Sequence, residues 1–350
     1  MEKHAGVYAA GRRGSSFKCG GKTVGGGQRK WYTGDMGRSR HQKESGGHYL
    51  VLINKSSANY TRRAVSKLLE AIKKSGRQFT IYEPESAMGL LKQAQDAVKA
   101  NARPASGGQH TERRGAFTAI VACGGDGTFN LAARAAMEAD LPIGALPLGR
   151  FNSIARHLYG DTSVDKAIAL ITAGNYRKID IGMASDQPFI GAIGLGFLPE
   201  LFQLLTKEKP PRFGFGWSQF GSKAAAAVKP SAMTLKIDAY KLEASPVLFN
   251  VNLLSFAAGL PFSEASIMDD RHAEVIFDMG MKPADASTLT KALYKGKYLF
   301  GNDVRMYRGQ TITIQPVKGR TLYLDGELIP LPTNVLSIKI GEKQVKAFCA

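Results

Sequence analysis

Between Phe117 and Leu158 an apolar run twice ends in a glycine turn and passes straight into a helix-forming stretch. This doubled unit constrains the fold more than any other feature of the chain. The first unit is Phe117-Thr118-Ala119-Ile120-Val121, followed by ACGGDGTFNL from Ala122 to Leu131 and the helical composition of LAARAAMEA. The second is LPIGALPLGRFNSIARHL, from Leu141 to Leu158, in which Asn152 and Ser153 are helix-start residues. Two such units in succession predict a parallel α/β sheet, whose ligands sit at the carboxyl ends of its strands. Glycines let the backbone turn sharply and approach a ligand. Bare N–H groups in the turn and the positive end of the next helix attract anions. Asp126 would repel a phosphate and suits instead Mg²⁺ or a proton. For either loop alone, a tight turn with no ligand is an equal alternative.

The rest of the chain organises around this core. Tyr49–Asn54 reads as a buried strand, Arg62–Ser75 as a helix with Val65, Leu68, Leu69 and Ile72 on one face, Gln78–Tyr82 as a strand and Ser86–Ala102 as a helix. RPASGGQHTERRG reads as a basic surface loop, and Val164–Ala173 as a helix closed by Gly174-Asn175. Strands then predominate, interrupted by helical segments at Leu198–Lys207 and Ala286–Leu299. An α/β unit followed by a run of strands predicts two domains, with the cleft between them as the default site.

GGDGTFN and PLGRFNSIAR, taken together, resemble the paired motifs of the diacylglycerol kinase catalytic family, which includes sphingosine, ceramide and bacterial lipid kinases, with NAD kinases as more distant relatives. The resemblance runs from about His48 to Gly341 and takes in GAIGLGFLPELF at 191–202, MDDRHAEV at 268–275, VRMYRGQTITI and LYLDGE. It implies an N-terminal α/β domain with a parallel sheet (48–175), a mainly antiparallel β-sandwich domain that takes the lipid (176–341) and a short C-terminal tail (342–350). The implied reaction is ATP- and Mg²⁺-dependent phosphorylation of a lipid hydroxyl on diacylglycerol, a sphingoid base or ceramide.

Site residues follow from matching positions. Gly124, Gly125, Gly127 and Thr128 would wrap the nucleotide phosphates, joined by Asn54 and Ser57 of the first loop and by Gly149 and Arg150 of PLGR. Asn130 and Asn152 would contact the nucleotide or cap a helix, two readings of equal standing. Asp126 would bind Mg²⁺ or orient the attacking hydroxyl. In Asp325-Gly326-Glu327 the resemblance makes Glu327 the proton acceptor, with Asp325 beside it counted among the catalytic residues; the plain alternative is an Asp-Gly hairpin turn with an exposed Glu. Asp270, with the main-chain carbonyls of Ile267 and His272, would hold a second, structural Mg²⁺. The pattern departs at four places. Asn54-Lys55-Ser56-Ser57-Ala58 lacks the family's Pro and Gly, Arg150 replaces a small hydroxyl residue, Leu131 replaces an acid and Arg271 replaces a Gly. Arg150 either clamps a phosphate oxygen or fills the space of the nucleotide. Two other functions therefore stand beside the lipid kinase: a weakly catalytic lipid-binding or regulatory relative, and a soluble-substrate kinase akin to NAD kinases.

Composition bears on partners. With 350 residues, 44% of them hydrophobic, the chain can build two cores. Cys19, Cys123 and Cys349 form no disulfide framework or zinc spacing, which fits a reducing, cytoplasmic compartment. No apolar run approaches the roughly 18 residues of a membrane span, and the N-terminus lacks the apolar core of a signal peptide. The net charge is +18, and residues 1–47 hold ten Lys/Arg, three Asp/Glu and twelve Gly, a composition expected to be disordered. Such a tail is either simply solvated or drawn to anionic lipid; an organelle transit peptide fits twelve glycines poorly. No recognition motif points to nucleic acid. The expected partner is a lipid substrate at a membrane surface, with peripheral association; Phe213, Phe215 and Trp217 are candidates to dip into the interface. Leu195, Phe197 and Phe202 are groove candidates that serve equally as core. A homodimer is left open.

Overall fold

The computed structural model describes residues 42–43, 47–102, 116–208, 214–264, 266–297 and 304–350. Most of the basic tail, the loop RPASGGQHTERRG and Phe213 lie outside the described residues.

The N-terminal half forms as the glycine punctuation predicts. Strand β1 (His48–Ile53) leads to helix α1 (Arg62–Lys74), β2 (Gln78–Tyr82), α2 (Ala87–Ala102), β3 (Phe117–Gly124), α3 (Asp126–Glu138), β4 (Ile143–Pro147), α4 (Ser153–Tyr159) and α5 (Val164–Ala173). Helix α1 starts where the Thr61 side chain accepts the Ala64 N–H at 3.2 Å, and it buries Val65, Leu68 and Ile72. The strands pair in parallel in the order β2-β1-β3-β4, and β1 and β3 are almost wholly buried because helices cover both faces.

The C-terminal half comprises β5 (Asn175–Ala184), β6 (Gln187–Phe189), β7 (Ala192–Gly196), α6 (Phe197–Lys207), α7 (Gly214–Ala227), β8 (Met233–Ile237), β9 (Tyr240–Ala244), β10 (Leu248–Asn252), β11 (Ala273–Asp278), α8 (Pro283–Tyr294), β12 (Val304–Gly309), β13 (Thr311–Gln315), β14 (Thr321–Leu324), β15 (Glu327–Pro330) and β16 (Leu336–Phe348). One antiparallel sheet runs β12-β11-β10-β7-β14-β15. It packs through Ile193, Leu195, Phe249, Val251, Val275 and Phe277 against Leu235, Ile312, Ile314 and Ile338 of the other sheet, which makes the sandwich. Its opposite face is covered by α6, α7 and α8 around Phe197, Leu198, Trp217 and Phe220.

Two expectations change. Residues 342–348 are not a tail: β16 runs antiparallel to β5 over most of its length, pairs with β13 near its start and touches β4 through Ala347 and Ile143. Phe348 and Cys349 are buried in the α/β core, so a single sheet spans both halves. Gly214-Phe215-Gly216-Trp217 opens a helix that its glycines conceal in the sequence. Among the described residues no helix is long and apolar enough to cross a membrane.

Candidate active site

Three loops at the carboxyl ends of β1, β3 and β4 are bonded into one platform. The Asn54 N–H donates to Cys123 O at 3.0 Å, Leu148 N–H to Gly124 O at 2.9 Å and Asn59 N–H to Leu148 O at 2.9 Å. Asn54 Nδ2 donates to Thr128 Oγ1 at 3.0 Å, and Asn59 Nδ2 to Gly149 O at 2.6 Å. The two glycine turns meet backbone to backbone: a Cβ on Gly149 would lie 2.3 Å from Gly125 Cα, and a Cβ on Gly124 would lie 2.3 Å from Thr128 Oγ1. Only glycine fits at these positions, and the reason is space rather than φ.

Asp126 is the first residue of α3, with Gly125 as the N-cap, so the Asp-Gly-Thr of the motif is helical. Its Oδ2 accepts the Ser153 N–H at 3.0 Å and its Oδ1 the Ile154 N–H at 2.9 Å. The carboxylate thus serves as the N-cap of α4 from a different loop. The residue at that helix start, Asn152 (φ 51°), makes no cap bond of its own. Asn152 instead closes the PLGR turn, accepting the Gly149 N–H at 2.8 Å and donating to Gly149 O at 2.9 Å. Burial pushes the Asp126 carboxyl up to about 6, against the pull of the two N–H groups.

The hairpin between β14 and β15 brings in the other carboxylates. Asp325 and Gly326 both have positive φ, 45° and 92°, as a two-residue hairpin turn requires. The sequence assigned Asp325 to catalysis, but its side chain is buried away from the cleft lining. Asp325 accepts N–H bonds from Ile190 (2.6 Å), Gly191 (2.9 Å) and Ala192 (2.8 Å), and from Asn130 Nδ2 (2.8 Å). It is a positioning residue that locks the hairpin onto β7. Asn130 likewise contacts no cleft: its amide serves Asp325 and Pro188 O. Glu327, next in the hairpin, is exposed, and its Oε1 lies 3.3 Å from where a Cβ of Gly127 would stand. The plain hairpin thus carries the Glu327 carboxylate to the first turn of α3.

These elements enclose a cleft of about 500 Å³ between the two halves. Asn54, Ser57, Gly125, Asp126, Gly127, Thr128, Gly149, Arg150 and Glu327 line it; Gly124, Asn130, Asn152 and Asp325 lie behind the lining. Arg150 does not reach into the phosphate turns. Its guanidinium donates to Leu205 O at 2.6 Å and Thr206 O at 3.1 Å, at the end of α6. The sequence reading missed Ser86 and Leu90 at the start of α2, and Phe151. Of the groove candidates, Leu195 and Phe197 are core, while Phe202 reaches the cleft and packs on Phe151 (5.6 Å) and buried Tyr323 (5.1 Å). One wall is thus polar and glycine-lined, another aromatic.

A nucleotide triphosphate fits the first wall, where the opening turn of α3 offers N–H groups with no preceding helical carbonyl. Mg²⁺ brought in on such phosphates fits Asp126, since this ion keeps several waters and needs few protein ligands. The second, structural Mg²⁺ does not fit its expected loop. The Asp270 carboxylate is paired with Arg308 and also accepts the His272 N–H at 3.0 Å, while the His272 ring meets Asp270 O at 2.7 Å. Arg271 stands at φ 60° with Asp180 accepting its N–H, so Asp270 and His272 belong to a braced turn and the Asp270 carboxylate expected beside the Ile267 carbonyl is already engaged. Among the described residues no group of three or more His, Cys, Asp or Glu is arranged to hold a metal.

Residues 48–184 match the family described as Diacylglycerol kinase catalytic domain. A diacylglycerol kinase of Staphylococcus saprophyticus subsp. saprophyticus is 22% identical over 283 residues, covering 79% of this chain and 88% of its own. One from Staphylococcus carnosus is 21% identical over the same shares. The crystal structure of a diacylglycerol kinase from Bacillus anthracis str. Sterne superposes with a TM-score of 0.63 at 16% identity, covering 89% of this chain and 98% of that one.

Proposed function

We propose, for a chain that belongs through residues 48–184 to the diacylglycerol kinase catalytic family, that its cleft transfers the γ-phosphoryl group of ATP, carried with Mg²⁺, to the hydroxyl of diacylglycerol or a related lipid. Membership supports a lipid kinase; the nucleotide, the metal and the acceptor belong to this proposal. The observation that carries the reading is the meeting of the Gly125 and Gly149 turns beside two carboxylates, Asp126 and Glu327, contributed by the two halves of the chain.

Phosphoryl transfer asks a protein for positioning, charge neutralisation and a base. The N–H groups of Gly127 and Thr128 hold phosphate oxygens on the platform. Glu327 takes the proton from the acceptor hydroxyl as its oxygen attacks phosphorus, while the bond to the β-phosphate oxygen breaks and ADP leaves. Mg²⁺, when bound, neutralises charge that builds on the phosphate oxygens. Asp126 positions both turns by capping α4 and offers its remaining lone pairs to the metal. Phe151 and Phe202 exclude water and receive the apolar part of the acceptor. The engagement of Arg150 with α6 favours this reading over the non-catalytic one, because the guanidinium leaves the phosphate turns open.

The test is transfer of labelled γ-phosphate from ATP in mixed micelles with Mg²⁺, offering diacylglycerol and sphingosine in parallel, with Asp126→Ala beside the parent. Label in one lipid that vanishes in the variant supports the reading and names the acceptor. Label in neither, from folded protein, refutes it, and transfer that needs no lipid would mark a soluble-substrate kinase.

A further inference from the structure

Helices α7 and α8 lie antiparallel, with the first turn of one against the last turn of the other. A Cβ on Gly214 would lie 3.5 Å from Lys291 Cγ, Trp217 stacks on Tyr294 with ring centroids 5.1 Å apart, and the Ser218 hydroxyl donates to Ser287 O at 3.3 Å. Helix α7 buries Trp217, Phe220, Gly221, Ala224 and Ala225. At about 100° per residue, Phe215 falls on the side away from Trp217, and it is 73% exposed. The helix therefore completes its core contact without using this ring. Around Phe215 the tip carries Tyr294, 41% exposed, and the exposed Lys291, Lys295 and Lys297. Helix α7 has no Asp or Glu, and the single acid of α8, Asp285, sits at its far end.

We infer that this tip, with Phe215 at its apex and Lys291, Lys295 and Lys297 around it, docks on an anionic membrane interface. An exposed aromatic ring ringed by lysines matches both layers of such a surface. Aromatic rings favour the headgroup region, and lysines there are held by anionic lipid. The other large exposed apolar side chains, such as Ile81, Tyr240 and Val335, are the scattered singles that any surface shows. The tip also lies next to the cleft along the chain. Helix α6, which lines the cleft with Phe202 and Thr206, packs on α7 and is joined to it by residues 208–213. The inference deepens the lipid kinase reading by naming the surface that meets the acceptor's membrane, and it rests on that reading for its purpose though not for its test.

Trp31 and Trp217 are the two tryptophans, so Trp31→Phe in the full chain leaves Trp217 as the sole reporter, at the tip itself. Added to vesicles of phosphatidylcholine mixed with phosphatidylglycerol, the protein should bind, and brominated phosphatidylcholine should quench Trp217. Phe215→Ser should lower the partition coefficient roughly tenfold. Replacing Lys291, Lys295 and Lys297 by Gln should lower binding to the mixed vesicles roughly fivefold per residue, with little change on phosphatidylcholine alone. Absence of quenching, or unchanged partitioning in Phe215→Ser, overturns the inference and assigns any binding to the basic tail. Phosphorylation of detergent-dispersed lipid separates the two claims. If the tip docks but no lipid is phosphorylated in detergent, the kinase reading fails alone; if Phe215→Ser is active there and partitions like the parent, the docking inference fails alone.

Discussion

Asp126→Asn is expected to gain stability relative to the parent as pH rises towards neutrality while abolishing the reaction. In the folded chain the carboxyl titrates near 6 instead of 3.8, because burial penalises the charge more than the Ser153 and Ile154 N–H groups reward it. A raised pKa means that the folded state prefers the proton. Asp126 therefore costs nothing below the unfolded pKa, and its penalty grows as pH rises, levelling off above 6. A shift of about two units corresponds to ~3 kcal/mol. Asparagine keeps the shape and removes the charge, but it offers an oxygen to only one of the two N–H groups, a loss that does not vary with pH; the pH dependence of the difference therefore isolates the charge. Urea unfolding of parent and variant should show the variant gaining on the parent by ~2–3 kcal/mol between about pH 4 and about pH 7.5. Neighbouring Asp325 adds in the same direction, since loss of the Asp126 charge relieves it too. A difference independent of pH, or a parent that gains on the variant as pH rises, would refute the account of Asp126 as a penalised buried charge.

Glu327→Gln should lower kcat by about 10²–10⁴-fold, as loss of a general base does, with ATP affinity by calorimetry and the unfolding midpoint unchanged because the side chain is exposed. Gly149→Ala forces a methyl to within 2.3 Å of Gly125 Cα, so it should spread the two turns, cost about 1–3 kcal/mol in denaturant unfolding and abolish ATP binding. Arg150→Ala removes the donor that holds Leu205 and Thr206 O; hydrogen exchange in the last turn of α6 should quicken while that of α1 stays the same.

The glycine turns were legible in the sequence because a loop that must admit another backbone can use only glycine, and that demand shows as Gly124-Gly125 and Gly149 without any coordinates. The α/β order was legible for the same reason, since the hydrophobic period changes at each turn. Helix α7 was hidden: three glycines in its first eight residues dilute the apolar stripe, and it is tertiary packing against Ala286 and Thr290 that makes Gly221 useful. The roles of Asp325 and Asn130 were hidden too. They depend on residues 195 positions apart meeting under the N–H groups of 190–192, a long-range fact that no local pattern records. Asp126 stood out as a motif residue, yet its hold on α4 became visible only once the two turns were seen in contact. Arg150 was read as a choice between gripping and blocking a phosphate, and the structure offers a third arrangement in which α6 occupies it.

The strand Leu336–Phe348 has a consequence for how the molecule is made. During synthesis the residues up to 175 emerge first and contain nearly every side chain of the α/β core, but that core includes Val345, Ala347 and Phe348. A nascent chain lacking them holds an open sheet edge at β4 and exposed apolar surface, the condition in which strands recruit the wrong partner. The nucleotide platform is thus finished last although it is translated first, and the two halves become competent together rather than in sequence.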